Sequence, residues 1–70
     1  MDRAEELKMA LRHVREGEAH VARQKQIIAE LRRDRHPTLE AEKLLETFEQ
    51  TLKAHQDGLA VVRAEQEGSS

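Results

Sequence analysis

The feature that most constrains this fold is the four-residue break Arg35-His36-Pro37-Thr38, which separates two long stretches with helical periodicity. Pro37 has no amide hydrogen to donate, and it disfavours the α conformation at His36, so one continuous helix cannot run through this point. The hydroxyl of Thr38 can cap a helix that begins after it. The sequence therefore predicts two helices joined by a short loop.

The first stretch repeats apolar residues every seven positions, the spacing of a helix that packs along a seam. In heptad notation, in which a and d positions face the partner helix, its a positions are Leu7, Val14, Val21 and Ile28, and its d positions are Ala10, Gly17, Gln24 and Leu31. Asp2 can cap its start, and Arg32 and Arg33 suit the negative end of the helix dipole. We predict a first helix over about residues 3–34.

The second stretch continues the same pattern after the break. Its a positions are Leu45, Leu52 and Leu59, and its d positions are Ala41, Phe48, His55 and Val62. This predicts a loop at 35–37, a second helix over about 38–66 and a frayed tail at 67–70. Because the loop is short, the two rods must lie antiparallel, giving a single all-α, coiled-coil-like two-helix hairpin over residues 1–70.

The pattern also predicts a register in which large side chains face small ones. The predicted pairs are Ile28 with Leu45, Val21 with Leu52, Val14 with Leu59, Gln24 with Phe48, Gly17 with His55 and Gly58 with His13. A glycine inside a helix costs about 1 kcal/mol relative to alanine, so we interpret the two helical glycines as room for the two imidazoles.

The two sides of this seam differ in chemistry. The e positions pair opposite charges, Arg32 with Glu42 and Lys25 with Glu49, which is typical of a solvated edge. The g positions offer no ion pairs, and we call them the g flank: His13, His20, Ile27, Leu44, Thr51 and Gly58. A lone hairpin could not bury the two large aliphatic residues of this flank, so we predict a homodimer that forms a four-helix bundle there.

Composition supports the need for a partner. The chain has 70 residues, of which 37% are hydrophobic, and Phe48 is its only aromatic residue, so its core must be thin. The net charge of -2 predicts no general attraction to nucleic acid or to an anionic membrane. There is no cysteine for disulfide or thiolate chemistry, and no apolar run approaches a membrane span or opens the chain as a signal peptide, which predicts a cytoplasmic protein.

The histidines have three interpretations. Packing beside glycine is the favoured one, and a pH-sensitive interface built from His13, His20 and His55 is the second. A metal site, for which His20 and His55 would be the closest pair, is the weakest because no His-Glu-x-x-His or carboxylate-rich pattern accompanies them. We therefore predict no metal and no cofactor. Gln24 and His55 are predicted as buried polar residues, and Gln24 would fix the register.

A basic tip formed by Arg32, Arg33 and Arg35 is the one candidate for phosphate contacts. Asp34 and two nearby glutamates offset the positive charge of this tip, and it has no aromatic residue on which a base could stack.

Paired carboxylates occur only on exposed helix faces, without a pocket that would shift their pKa values for acid-base catalysis. The sequence predicts a protein that is not an enzyme, with a nucleic-acid-binding hairpin as the alternative to a protein-interaction module.

Several segments carry a family resemblance: Gly17-Glu18-Ala19-His20-Val21-Ala22-Arg23-Gln24, Ile27-Ile28-Ala29-Glu30-Leu31, Asp34, His36 and Leu44-Leu45-Glu46-Thr47-Phe48-Glu49. In these the chain resembles a family of short, functionally uncharacterised alphaproteobacterial proteins, over about residues 12–59. That family commonly has glycine before the loop histidine, where this chain has Arg35. The resemblance implies a hairpin in the bacterial cytoplasm and no known activity. By architecture alone the chain is similar to the Rop type of hairpin, a dimeric RNA binder.

From these observations we predict a non-enzymatic protein-protein interaction or regulatory module that acts through helix-helix contacts. Its protein partner, beyond a second copy of the chain, is not identified by the sequence.

Overall fold

A computed structural model describes residues 2–68 and contains two helices, α1 (Arg3–Arg33) and α2 (Leu39–Glu67). They pack against each other as an antiparallel pair, so the predicted all-α helical hairpin is confirmed. The first helix begins at residue 3, as predicted, and ends at Arg33, one residue before the predicted end. The second helix begins at Leu39 and ends at Glu67, each one residue after the predicted position. Of the predicted tail, residues 69 and 70 lie outside the described residues.

The two helix starts are capped differently from each other. The carboxylate of Asp2 accepts a hydrogen bond from the amide of Ala4 at 3.3 Å, which caps α1. The prediction that the Thr38 hydroxyl caps α2 is wrong, because this hydroxyl donates to the carboxylate of Glu42 at 3.3 Å instead. Thr38 has near-helical backbone angles (φ -114°, ψ -3°) rather than the extended ones of a side-chain cap, so its hydroxyl is turned away from the free amides.

The loop begins with a left-handed turn at Arg35, whose φ is 60°. The amide of His36 donates to the carbonyl of Leu31 at 2.8 Å, and the amide of Arg35 donates to the carbonyl of Arg32 at 3.1 Å. These two bonds define a Schellman motif, which normally has glycine at the left-handed position. A side chain there costs about 1–2 kcal/mol, so the loop carries a local strain at Arg35.

We therefore expect Arg35→Gly to stabilise the hairpin by about 0.5–1 kcal/mol, the relieved strain less the entropy lost by glycine. Urea denaturation at fixed protein concentration measures the change. Arg33→Gly is the matched control, because it removes the same charge from a right-handed helical position and should destabilise by up to about 1 kcal/mol. A loss of stability in both variants would contradict a left-handed requirement at residue 35.

The predicted seam is the buried stripe of the structure. Every predicted a and d position is buried or half-buried, but only Ile28 and Leu59 are buried apolar residues, at 5% and 8% exposure. No described side chain is less than 2% exposed. The interior of the hairpin is therefore as thin as the composition predicts.

The predicted register, by contrast, is wrong by one helical turn. A Cβ atom on Gly17 would lie 3.0 Å from Cδ1 of Leu52, so Gly17 makes room for Leu52 and not for His55. The ring of His55 lies beside His13 instead of Gly17, and the ring of Phe48 lies beside His20 instead of Gln24. Each observed partner on α1 is four residues before the predicted one. Side chains three and four apart share one face of a helix, so a slide of one turn keeps the same stripe buried, and the pattern alone cannot detect it.

Gly58 also differs from its prediction. A Cβ atom there would meet no atom within 4 Å, so this glycine does not accommodate His13. It opens a space beside the histidines instead.

Candidate functional site

The g flank is the less charged side of the hairpin. Leu44 is 45% exposed, Ile27 is half-buried, and Thr51 is exposed. Two further apolar residues, Met9 at 42% and Val61 at 56% exposure, were missed by the sequence reasoning. Both occupy heptad c positions, which adjoin g around the helix, but the other c positions are mostly charged, so the heptad pattern gave no signal for these two residues. We call the g flank together with Met9 and Val61 the interaction face.

Ion pairs lie away from the g positions. Within the described residues they are Arg12–Glu16, Arg32–Glu42, Lys43–Glu40 and Lys53–Asp57. The predicted contact of Arg32 with Glu42 is confirmed at 2.7 Å, whereas no ion pair joins the described side chains of Lys25 and Glu49. The two sides of the hairpin therefore do differ in charge.

The histidines form two separate contacts along the g flank. The rings of His13 and His55 have centroids 5.0 Å apart and are tilted by 44°, and both residues are half-buried. The ring of His20 stacks on Phe48 at 5.4 Å, and His20 itself is exposed. The predicted approach of His20 to His55 is therefore wrong. The slide of one turn places His13 beside His55 and His20 beside Phe48.

His13 and His55 line an open groove of about 280 Å³ between the two helices. The other residues that line it are Glu6, Met9, Ala10, Ala54, Gly58, Leu59 and Val62. No lysine or arginine is among them. The groove is thus mostly apolar, with two imidazoles and one carboxylate as its titratable groups.

Gln24 is the buried polar residue of the interior, at 5% exposure. Its side-chain nitrogen donates a hydrogen bond of 2.9 Å to the backbone carbonyl of Ala41, in the first turn of α2. It does not face Phe48, as the predicted register had it. Since a slide of the helices would break this bond, Gln24 fixes the observed register in the manner of buried polar residues in coiled coils.

The basic tip is only partly available for other contacts. Arg32 is held by Glu42, whereas Arg33 and Arg35 are exposed at the end of α1 and in the loop.

Among residues 2–68 there is no cluster of three or more histidine or acidic side chains suited to a metal ion. In the same range, neither helix is long and apolar enough to cross a membrane.

Comparison with known proteins adds no assignment. No family model, curated protein or solved structure matches this chain. The resemblance to the alphaproteobacterial family stays a prediction, and the function must be argued from the hairpin itself.

Proposed function

We propose that this protein is a non-enzymatic protein-protein interaction module that acts as a homodimer. Two hairpins would pack through their interaction faces into a four-helix bundle with two-fold symmetry. The single observation that carries this proposal is the large surface that the isolated hairpin leaves exposed.

The exposed surface of the chain is 5588 Å². A compact monomer of its mass, 8.1 kDa, exposes about 4,500 Å², so the hairpin exceeds that value by roughly 1,100 Å². A standard protein interface buries about 800 Å² on each partner. Covering one face of the hairpin would therefore bring the chain close to the surface of an ordinary compact protein.

The shape of the hairpin supports the same proposal. Its radius of gyration is 16.1 Å, and its dimensions are 55 × 16 × 14 Å. A compact domain of this length has a radius of gyration of about 11 Å. Each helix thus has one neighbour only, and its half-buried seam residues remain partly in contact with water.

A second copy is the occupant that suits the interaction face. The face can pair with itself because its only titratable groups are the two histidines His13 and His20, and it presents four large apolar residues: Met9, Ile27, Leu44 and Val61. A two-fold interface brings the same patch from both copies together, and among the described residues no ion pair involves a g position, so none has to be desolvated at the centre of this interface.

Sedimentation equilibrium tests this proposal over the micromolar concentration range. We expect a mass of twice the 8.1 kDa chain. The mass should persist in concentrated salt, because contacts between apolar side chains are not screened as charge pairs are. A folded species with the mass of one chain throughout this range would overturn the proposal.

A further inference from the structure

We propose that His13 and His55 form a two-imidazole binding site for a divalent transition metal ion such as Zn²⁺, which would link α1 to α2. The site lies within one hairpin, but its groove shares Met9, His13 and Gly58 with the interaction face, so a dimer packed through that face would cover it.

The separation of the two rings is the first support for this site. Their centroids are 5.0 Å apart. Two histidines on one tetrahedral Zn²⁺, with Zn–N bonds of about 2.0–2.1 Å, place their ring centres about 5 Å apart. The torsion that turns an imidazole about its Cβ–Cγ bond is broad, so either ring can turn a nitrogen towards a shared ion without moving the helices.

The groove supplies the space and the charge that such an ion needs. Neither the other helix nor another side chain comes within 4 Å of the position that a Cβ atom would take on Gly58, which lines the same groove as the two rings. This opening has room for the ion and for water molecules that complete its coordination. The carboxylate of Glu6 also lines the groove, where it can accept a hydrogen bond from a bound water or from an imidazole, a common outer contact of metal sites.

The ligand type restricts the metal. Imidazole suits Zn²⁺, Cu²⁺ and Ni²⁺, whereas Mg²⁺ and Ca²⁺ prefer oxygen ligands. Among residues 2–68 no third histidine or acidic side chain completes a cluster with these two, so water would fill the remaining positions of the ion.

The other two histidines provide internal controls. His20 is stacked on Phe48 instead of on a second imidazole, and His36 lies exposed in the loop. A metal that binds the chain at random should contact these exposed rings at least as readily as the half-buried pair.

Calorimetric titration of the untagged full chain with ZnCl₂ tests the site. Because a dimer would cover the groove, the parent chain for this titration carries Leu44→Glu, the exchange that is expected to give a monomer. We expect one class of binding in this parent and in its control, which also carries His20→Gln. His13→Gln and His55→Gln should each bind at least about tenfold more weakly, because each loses one arm of a two-point attachment. In parallel, the NMR signals of the His13 and His55 rings should shift together during the titration, while those of His20 and His36 stay in place.

Equal affinity in the parent and in both histidine variants would overturn the inference, as would similar shifts of all four histidine rings. If a variant fails to fold by circular dichroism, the NMR titration of the parent decides. Sedimentation of the wild type in the presence of EDTA keeps the two proposals apart. A wild type that sediments as a monomer would overturn only the homodimer, and a Leu44→Glu parent whose histidines ignore Zn²⁺ would overturn only the metal site.

Discussion

Leu44→Glu is expected to convert the proposed dimer into a monomer. Leu44 is 45% exposed in the single hairpin, so a glutamate there is solvated and should leave the hairpin folded. In a dimer packed through the interaction face, the two-fold axis would place this carboxylate twice in an apolar interface. An uncompensated buried charge costs about 3–5 kcal/mol, so the dissociation constant should rise by at least about 100-fold. Sedimentation equilibrium measures the change, and Ile27→Glu should act in the same direction.

Leu39→Glu is the matched control for this prediction. Leu39 is more exposed, at 62%, and it occupies a heptad b position, which adjoins the charged e side of the seam. The same exchange of leucine for glutamate should therefore leave the mass of the protein unchanged. If Leu44→Glu and Ile27→Glu keep the mass of two chains, the dimer uses another surface. If Leu39→Glu also dissociates the dimer, any added negative charge weakens it, and the loss does not depend on burial of residue 44.

Gln24→Glu is expected to destabilise the fold by about 2–4 kcal/mol at neutral pH. The substitution keeps the size of the side chain but replaces the donor that reaches the carbonyl of Ala41 at 2.9 Å with a negatively charged acceptor. Two acceptors then face each other at a position that is only 5% exposed. The carboxylate must remain buried without a donor or move into water, and either change disrupts the contact between the helices.

Urea denaturation at one fixed protein concentration measures this loss, because the stability of a dimer depends on concentration. Gln26→Glu is the control. It makes the same chemical change two residues away at an exposed position and should alter stability by less than about 0.5 kcal/mol. Equal stability of the two variants would show that Gln24 does not hold the register through Ala41.

The sequence by itself determined which residues face inwards. The heptad spacing identified the stripe from Leu7 to Leu31 on one helix and from Ala41 to Val62 on the other, and the structure leaves every predicted seam position at least half-buried. Pro37 and its neighbours placed the break. These features follow from local chemistry, namely a missing amide hydrogen and a repeat that matches the turn of a helix, so no contact between distant residues is needed to recognise them.

Only the tertiary structure decided how far one helix slides along the other. A shift of one turn exchanges Val21 for Gly17 opposite Leu52 and leaves the buried stripe intact, because residues three and four apart lie on the same side of a helix. The choice between the two registers rests on single cross-helix contacts, the hydrogen bond of Gln24 to Ala41 and the close approach at Gly17. The same shift brought His13 to His55, and thereby created the two-imidazole pair that the heptad pattern did not predict.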